Sequence, residues 1–158
     1  MESRSRWFLS PWLWVEAFVL VNLAVLTADI YLAHSVNDFR HRAEYLPLYF
    51  SMGAPAVLLL SLLLLGRRKV PLWLDPGFAV GWAAVALGLA GMLLHLESRF
   101  FQEQTLRSLV YSAPFAAPLA YTGLGLLLLM NRMVPAGSLE WGQWVTLLAL
   151  GGFVGNFV

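Results

Sequence analysis

The chain has 158 residues, 59% of them apolar and only 12% charged, with a mean hydropathy of +0.70. A soluble domain of this size does not hide that much apolar surface, so the composition excludes an ordinary soluble fold and points to an integral membrane protein. A formal net charge of +1 argues against nucleic acid as a partner, and the absence of cysteine excludes disulfides, thiolate metal sites and cysteine catalysis.

The charges cluster between apolar runs of about 20 residues, the length that crosses a bilayer core. In chain order the runs are Trp12–Ala33, Leu46–Leu65, Phe78–Leu94, Tyr111–Met130 and Trp141–Val158. They are continuous and lack period-two alternation, so helices are expected and a barrel is not. The expected fold is an all-α integral membrane protein with five transmembrane helices. The charged start, Met1 to Arg6, resembles a signal peptide, but the run behind it is too long and no clear cleavage site follows. It reads as a retained first helix.

The first run opens on Pro11-Trp12-Leu13-Trp14-Val15-Glu16 and carries two polar residues on one face, Asn22 and Asp29. An acid inside a membrane helix is expensive, about 2.5–3.5 kcal/mol at the centre and less near the rim. Asp29 is therefore a candidate for a proton or ion path. Its plainer role is pairing with Arg40 or Arg99, or hydrogen bonding to a neighbouring helix. The run ends at His34.

The second run contains Pro55. The third opens on Pro71-Leu72-Trp73-Leu74-Asp75 and carries Gly77, Gly81, Ala84, Gly88 and Gly91 at spacings of four, three, four and three. Small residues on one stripe let a neighbouring backbone come close, which is how helices associate in lipid. His95 continues that stripe. The fourth run has a shorter version in Ser112, Ala116, Ala120 and Gly123. The fifth follows Pro135 and Leu139-Glu140-Trp141, and offers Gly142, Thr146 and Ala149, then Gly151 and Gly155 in a GxxxG spacing.

A duplication underlies this order. His34 to Ser51 matches His95 to Ser112 at constant offset: His34 with His95, Phe39 with Phe100, Phe50-Ser51 with Tyr111-Ser112. Each helix opening also has a proline, a tryptophan and an acid, with proline suited to a first turn and the acid to the positive end of the helix dipole. The chain reads as parallel two-helix hairpin repeats in two and a half copies within one transmembrane domain. The units are about 11–70, 71–134 and 135–158, the last incomplete.

Basic residues set the expected orientation. Arg4 and Arg6, then Arg67, Arg68 and Lys69, then Arg132 lie on one side; Arg40, Arg42, Arg99 and Arg107 on the other are diluted by Asp38, Glu44, Glu97 and Glu103. The more basic side is cytoplasmic by the positive-inside rule. The N-terminus is then inside, and the His34 and His95 loops face outward from a bacterial-type inner membrane. Tryptophans 7, 12, 14, 73, 141 and 144 mark one interface, and Tyr31, Tyr45, Tyr49, Phe100, Phe101 and Tyr111 the other.

His34 and His95 come to equivalent depths on one side, because the helices that carry them run parallel. Two imidazoles suit haem iron, a metal ion or a proton relay. The ordinary role of a helix-end histidine is to meet the last carbonyls and the dipole, and that role is preferred. His41 has Gln102 as its counterpart, which weakens a three-histidine site. No H-E-x-x-H, G-x-S-x-G or phosphate loop is present, so no catalytic residue and no metal site are predicted.

The reading favoured by these features is a small polytopic, non-catalytic accessory subunit of a larger membrane complex. Its partners are the lipid bilayer and other membrane subunits. One alternative is a small carrier or proton/ion-conducting protein using Asp29, Asn22 and the outer-rim histidines. Another is a haem- or metal-binding protein through His34 and His95. No cofactor is predicted outside that last alternative.

Overall fold

The protein is seen in a computed structural model that describes residues 10–36, 38–64, 71–96, 103–106 and 116–155, with side chains described up to 153. Several sequence expectations fall outside these residues: the basic groups Arg4, Arg6, Arg67, Arg68, Lys69, Arg99 and Arg107, the belt aromatics Trp7, Phe101 and Tyr111, and the repeat positions Phe100 and Ser112.

The described residues are helical, with no strand among them. Helix α1 spans Pro11–Ser35, α2 Tyr45–Leu64, α3 Pro76–His95, α4 Leu119–Met133 and α5 Leu139–Gly155. Three of them, α1, α2 and α3, are long and apolar enough to cross a membrane. At 1.5 Å per residue, the 25 residues of α1 reach about 38 Å and the 20 residues of α3 about 30 Å, against a hydrocarbon core of about 30 Å. The described part of α4, with 15 residues, is shorter, and the expected start of its run at Tyr111 lies outside the described residues. Ala116 to Pro118 form a turn before α4, not helix.

Helices α1, α2, α3 and α4 close into a ring in which α1 packs on α2, α2 on α3, α3 on α4 and α4 back on α1. Helix α5 packs on α4. The core is one contiguous cluster: Val15, Val19, Leu23 and Ile30 from α1, Ala54 and Leu58 from α2, Val80 from α3, and Tyr121, Leu127, Leu128 and Met130 from α4. The α1 set falls on one stripe, at steps of four, four and seven.

Among the described helices α3 and α4 share the most extensive contact, and glycine is the reason. A Cβ on Gly81 would stand 2.8 Å from Leu129 Cγ and 3.2 Å from the Gly125 carbonyl. One on Gly125 would stand 2.6 Å from the Gly81 carbonyl, and one on Gly88 2.6 Å from Thr122 N. One on Gly91 would meet Pro118 Cβ at 2.8 Å. The seam of α3 is thus filled by α4 of the same chain, with backbone against backbone. Gly151 on α5 is the opposite case: an added methyl there meets nothing within 4 Å.

Helix starts depart from the proline pattern read in the sequence. Pro11 does open α1. Helix α3, however, starts at Pro76 with Asp75 as its N-cap, and the predicted Pro71 instead precedes a short 3₁₀ turn at Leu72–Leu74. Helix α5 is started by Ser138, whose Oγ accepts from Trp141 N at 3.1 Å, while Pro135 sits in the turn before it. The reason is local: a short side-chain oxygen satisfies a free N–H of the first turn, which proline cannot do. Pro55 lies inside α2, where it leaves the Ser51 carbonyl without its helical donor.

Candidate functional site

Polar chemistry collects at the two ends of the ring. One end, here the proline end, holds a cluster that the sequence did not announce. Arg132, in the last turn of α4, reaches across to α1 and grips Glu16 with two nitrogens, Nη1 to Oε1 at 2.5 Å and Nη2 to Oε2 at 3.1 Å. Its Nε donates to Asp75 Oδ1 at 2.9 Å. The side chains of Arg132 and Glu16 are 5% and 0% exposed. This is a bidentate guanidinium–carboxylate pair with a second carboxylate on the remaining edge, the geometry that suits arginine and not lysine.

The neighbouring residues complete the network. Asn131 Nδ2 donates to Glu16 Oε1 at 2.8 Å and to the Trp12 carbonyl at 3.1 Å. Trp141 Nε1 donates to Asn131 Oδ1 at 3.1 Å. Asp75 Oδ1 also accepts from Gly77 N at 2.8 Å, which caps α3. The Arg132 guanidinium lies over the Trp12 ring at 6.0 Å and fills the space where a Gly77 side chain would be. One cluster therefore ties α1, α3, α4 and α5 together.

This corrects the role expected for the helix-opening acids. Asp75 does serve its own helix start, but Glu16 lies beyond the first turn of α1 and is committed to Arg132 and Asn131. Glu140 is exposed in the first turn of α5. A buried acid and a buried arginine cannot be matched from sequence when 116 positions separate them. The available signal was that Glu16 near the start of the first run and Arg132 just past the end of the fourth lie at the same end.

The other end carries His34, at the end of α1, and His95, the last residue of α3. These helices are not neighbours in the ring, yet the two rings come to 6.5 Å between centroids at 68°. His34 Nδ1 lies 3.3 Å from Glu44 Oε2. Glu44 is held from its other side: Oε1 accepts from His41 N at 3.3 Å in a capping box of the 3₁₀ turn Arg42–Glu44. Its Oε2 is buried and makes no hydrogen bond. The helix-end carbonyls expected to occupy the His34 side chain are met otherwise, that of Leu32 by Ser35 Oγ and that of His34 by Phe39 N.

An aromatic file covers this end. Phe39 stacks on Tyr45 at 4.6 Å, Tyr45 on Tyr49 at 6.0 Å, and Phe39 also stands 5.9 Å from His34. Asp38 and Phe39 both adopt positive φ, 55° and 47°. Neither is glycine, and each such residue costs about 1–3 kcal/mol unless its surroundings hold it. The turn is held by the stacking that presses Phe39 between His34 and Tyr45.

The remaining candidates stand apart. Asp29 is exposed on the outside of α1, and Asn22 donates to the carbonyl of Phe18 in its own helix at 2.8 Å. They do not line an interior path with the histidines. Between the ends, Ser51 and Tyr121 share a buried hydroxyl contact, and Tyr121 Oη donates to the Pro47 carbonyl at 3.1 Å, joining α2 to α4. Among the described residues no group of three or more histidines or carboxylates is placed to hold a metal ion. Compared with protein-family models, with curated proteins and with solved structures, the chain finds no match in any of the three.

Proposed function

We propose that this chain is a non-catalytic accessory subunit of a larger membrane complex, built from five spans in parallel hairpin repeats of about 11–70, 71–134 and 135–158. Its N-terminus is cytoplasmic and its histidine end faces outward from a bacterial-type inner membrane. The observation that carries the reading is where the polar groups go. The buried charges Glu16 and Arg132 are spent on one another and on Asp75, inside the chain, and serve to lock four helices. The α3 seam is likewise used up on α4.

Helix α5 supports the second half of the reading. Among the described residues it packs on the ring through Trp141, Val145 and Leu148, and turns Trp144, Leu147 and Leu150 outward. A shallow depression lined by Ser138, Gly142, Gln143 and Thr146 runs beside them. Apolar helix faces with open small residues are the surfaces on which membrane subunits meet.

The test places a photo-crosslinking residue at Trp144 or Leu147, and as a control at Leu60 on α2, in native membranes. Crosslinks to a defined protein from α5 but not α2 are expected, with the chain migrating in a larger complex on native gels. Gly151→Leu is expected to release it from that complex. A chain that migrates alone and crosslinks only to lipid overturns the reading.

A further inference from the structure

We propose that His34 and His95 hold a single copper-type transition-metal ion between their imidazoles, with Glu44 fixing His34 from behind. The spacing carries the argument. With metal–nitrogen bonds of about 2.0 Å and each ring centre roughly 1 Å behind its nitrogen, imidazoles on opposite sides of one ion put their centroids about 6 Å apart. Adjacent tetrahedral positions would draw them to about 5 Å. The observed 6.5 Å fits the opposed arrangement. Opposed imidazoles with water or other oxygen at the remaining positions make a tetragonal site, which favours copper(II) over zinc, and copper also binds most tightly in the divalent series.

The second observation is independent of the first. Metal-bound histidines usually present their other ring nitrogen to a carboxylate, which fixes the tautomer and the ring plane. His34 Nδ1 approaches Glu44 Oε2 at 3.3 Å, an ion-pair distance without a hydrogen bond, which leaves Nε2 as the ligating atom. That oxygen is buried without a hydrogen bond, and the capping box holds its partner oxygen in place. Phe39, in its strained turn, braces the other side of the His34 ring at 5.9 Å. The competing account is an edge-to-face aromatic pair, for which 6.5 Å is near the long limit of about 7 Å.

The experiment uses the full chain, purified without a histidine tag in mild detergent and equilibrated with copper(II), nickel(II) or zinc(II). One copper per chain is expected to survive desalting, with paramagnetic resonance showing splitting from two equatorial nitrogens. His34→Phe and His95→Phe keep an aromatic contact and are expected to lower copper affinity at least tenfold each. Glu44→Gln is expected to lower it about 10–100-fold. His41→Ala is expected to leave it unchanged. Copper retained by the His34→Phe/His95→Phe double variant overturns the proposal, as does a wild-type spectrum without nitrogen splitting. A Soret band in the protein as isolated overturns the assignment to a bare ion. The spectrum is read on the wild-type chain, so a variant that fails to fold does not protect the idea.

Discussion

The two ends of the helical ring solve the same problem in opposite ways. Each must place polar side chains at the ends of long apolar helices. At the proline end Glu16 and Arg132 are taken inside and paired, 0% and 5% exposed, with Asp75 at the rim, 21% exposed. At the histidine end His34 and Glu44 stay partly open, with side chains 22% and 17% exposed, behind a stack of aromatic rings. The first arrangement is rigid, because removing Arg132 or Glu16 strands the buried charge of the other. The second tolerates change, because water still reaches its members. A structural lock and a place for a ligand are expected to differ in this way.

Substitutions separate the two. Arg132→Met leaves Glu16 and Asp75 without their cation and is expected to cost about 3–5 kcal/mol in an unfolding titration in mixed micelles. A loss under 1 kcal/mol would show that the ion pair does not hold the ring. Gly125→Val drives methyl groups into the Gly81 carbonyl and Val85 N, and overpacking of this kind costs about 1–3 kcal/mol. Trp141→Phe keeps the ring and drops only the bond to Asn131, so about 1 kcal/mol is expected, together with easier proteolysis of α5. Tyr121→Phe removes the hydroxyl shared with Ser51, where interhelical hydrogen bonds average about 0.6 kcal/mol. At the histidine end, His34→Ala is expected to shift stability by less than about 1 kcal/mol, as for other partly exposed pairs. If His34→Ala proved as damaging as Arg132→Met, the contrast between the ends would collapse.

Much of the fold was legible in the sequence. Continuous apolar runs predicted α1, α2 and α3 to within two residues at each end, since length and hydropathy are local properties. The site was legible only in half. His34 and His95 stand out because each follows an apolar run of about 20 residues and has a phenylalanine five residues later. Glu16 and Arg132 looked like an opening acid and a topology charge, because nothing local distinguishes an acid facing a helix dipole from one facing an arginine on another helix. Asp29 shows the complementary limit. Its depth along α1 is visible in the sequence, but the direction of its side chain is set by which face of α1 the other helices cover.

What the sequence determined by itself was therefore periodic and short-range: a helical membrane chain, the stripe of glycines on α3, and two histidines at matching helix ends. The tertiary structure decided the pairings. It put the α3 stripe against α4 and left Gly151 of α5 facing outward, although both carry small residues at helical spacing. It joined Glu16 to Arg132 and set Glu44 behind His34. The physical reason is that a helix presents its residues by local geometry, whereas the partner of each face depends on how several helices share one closed ring.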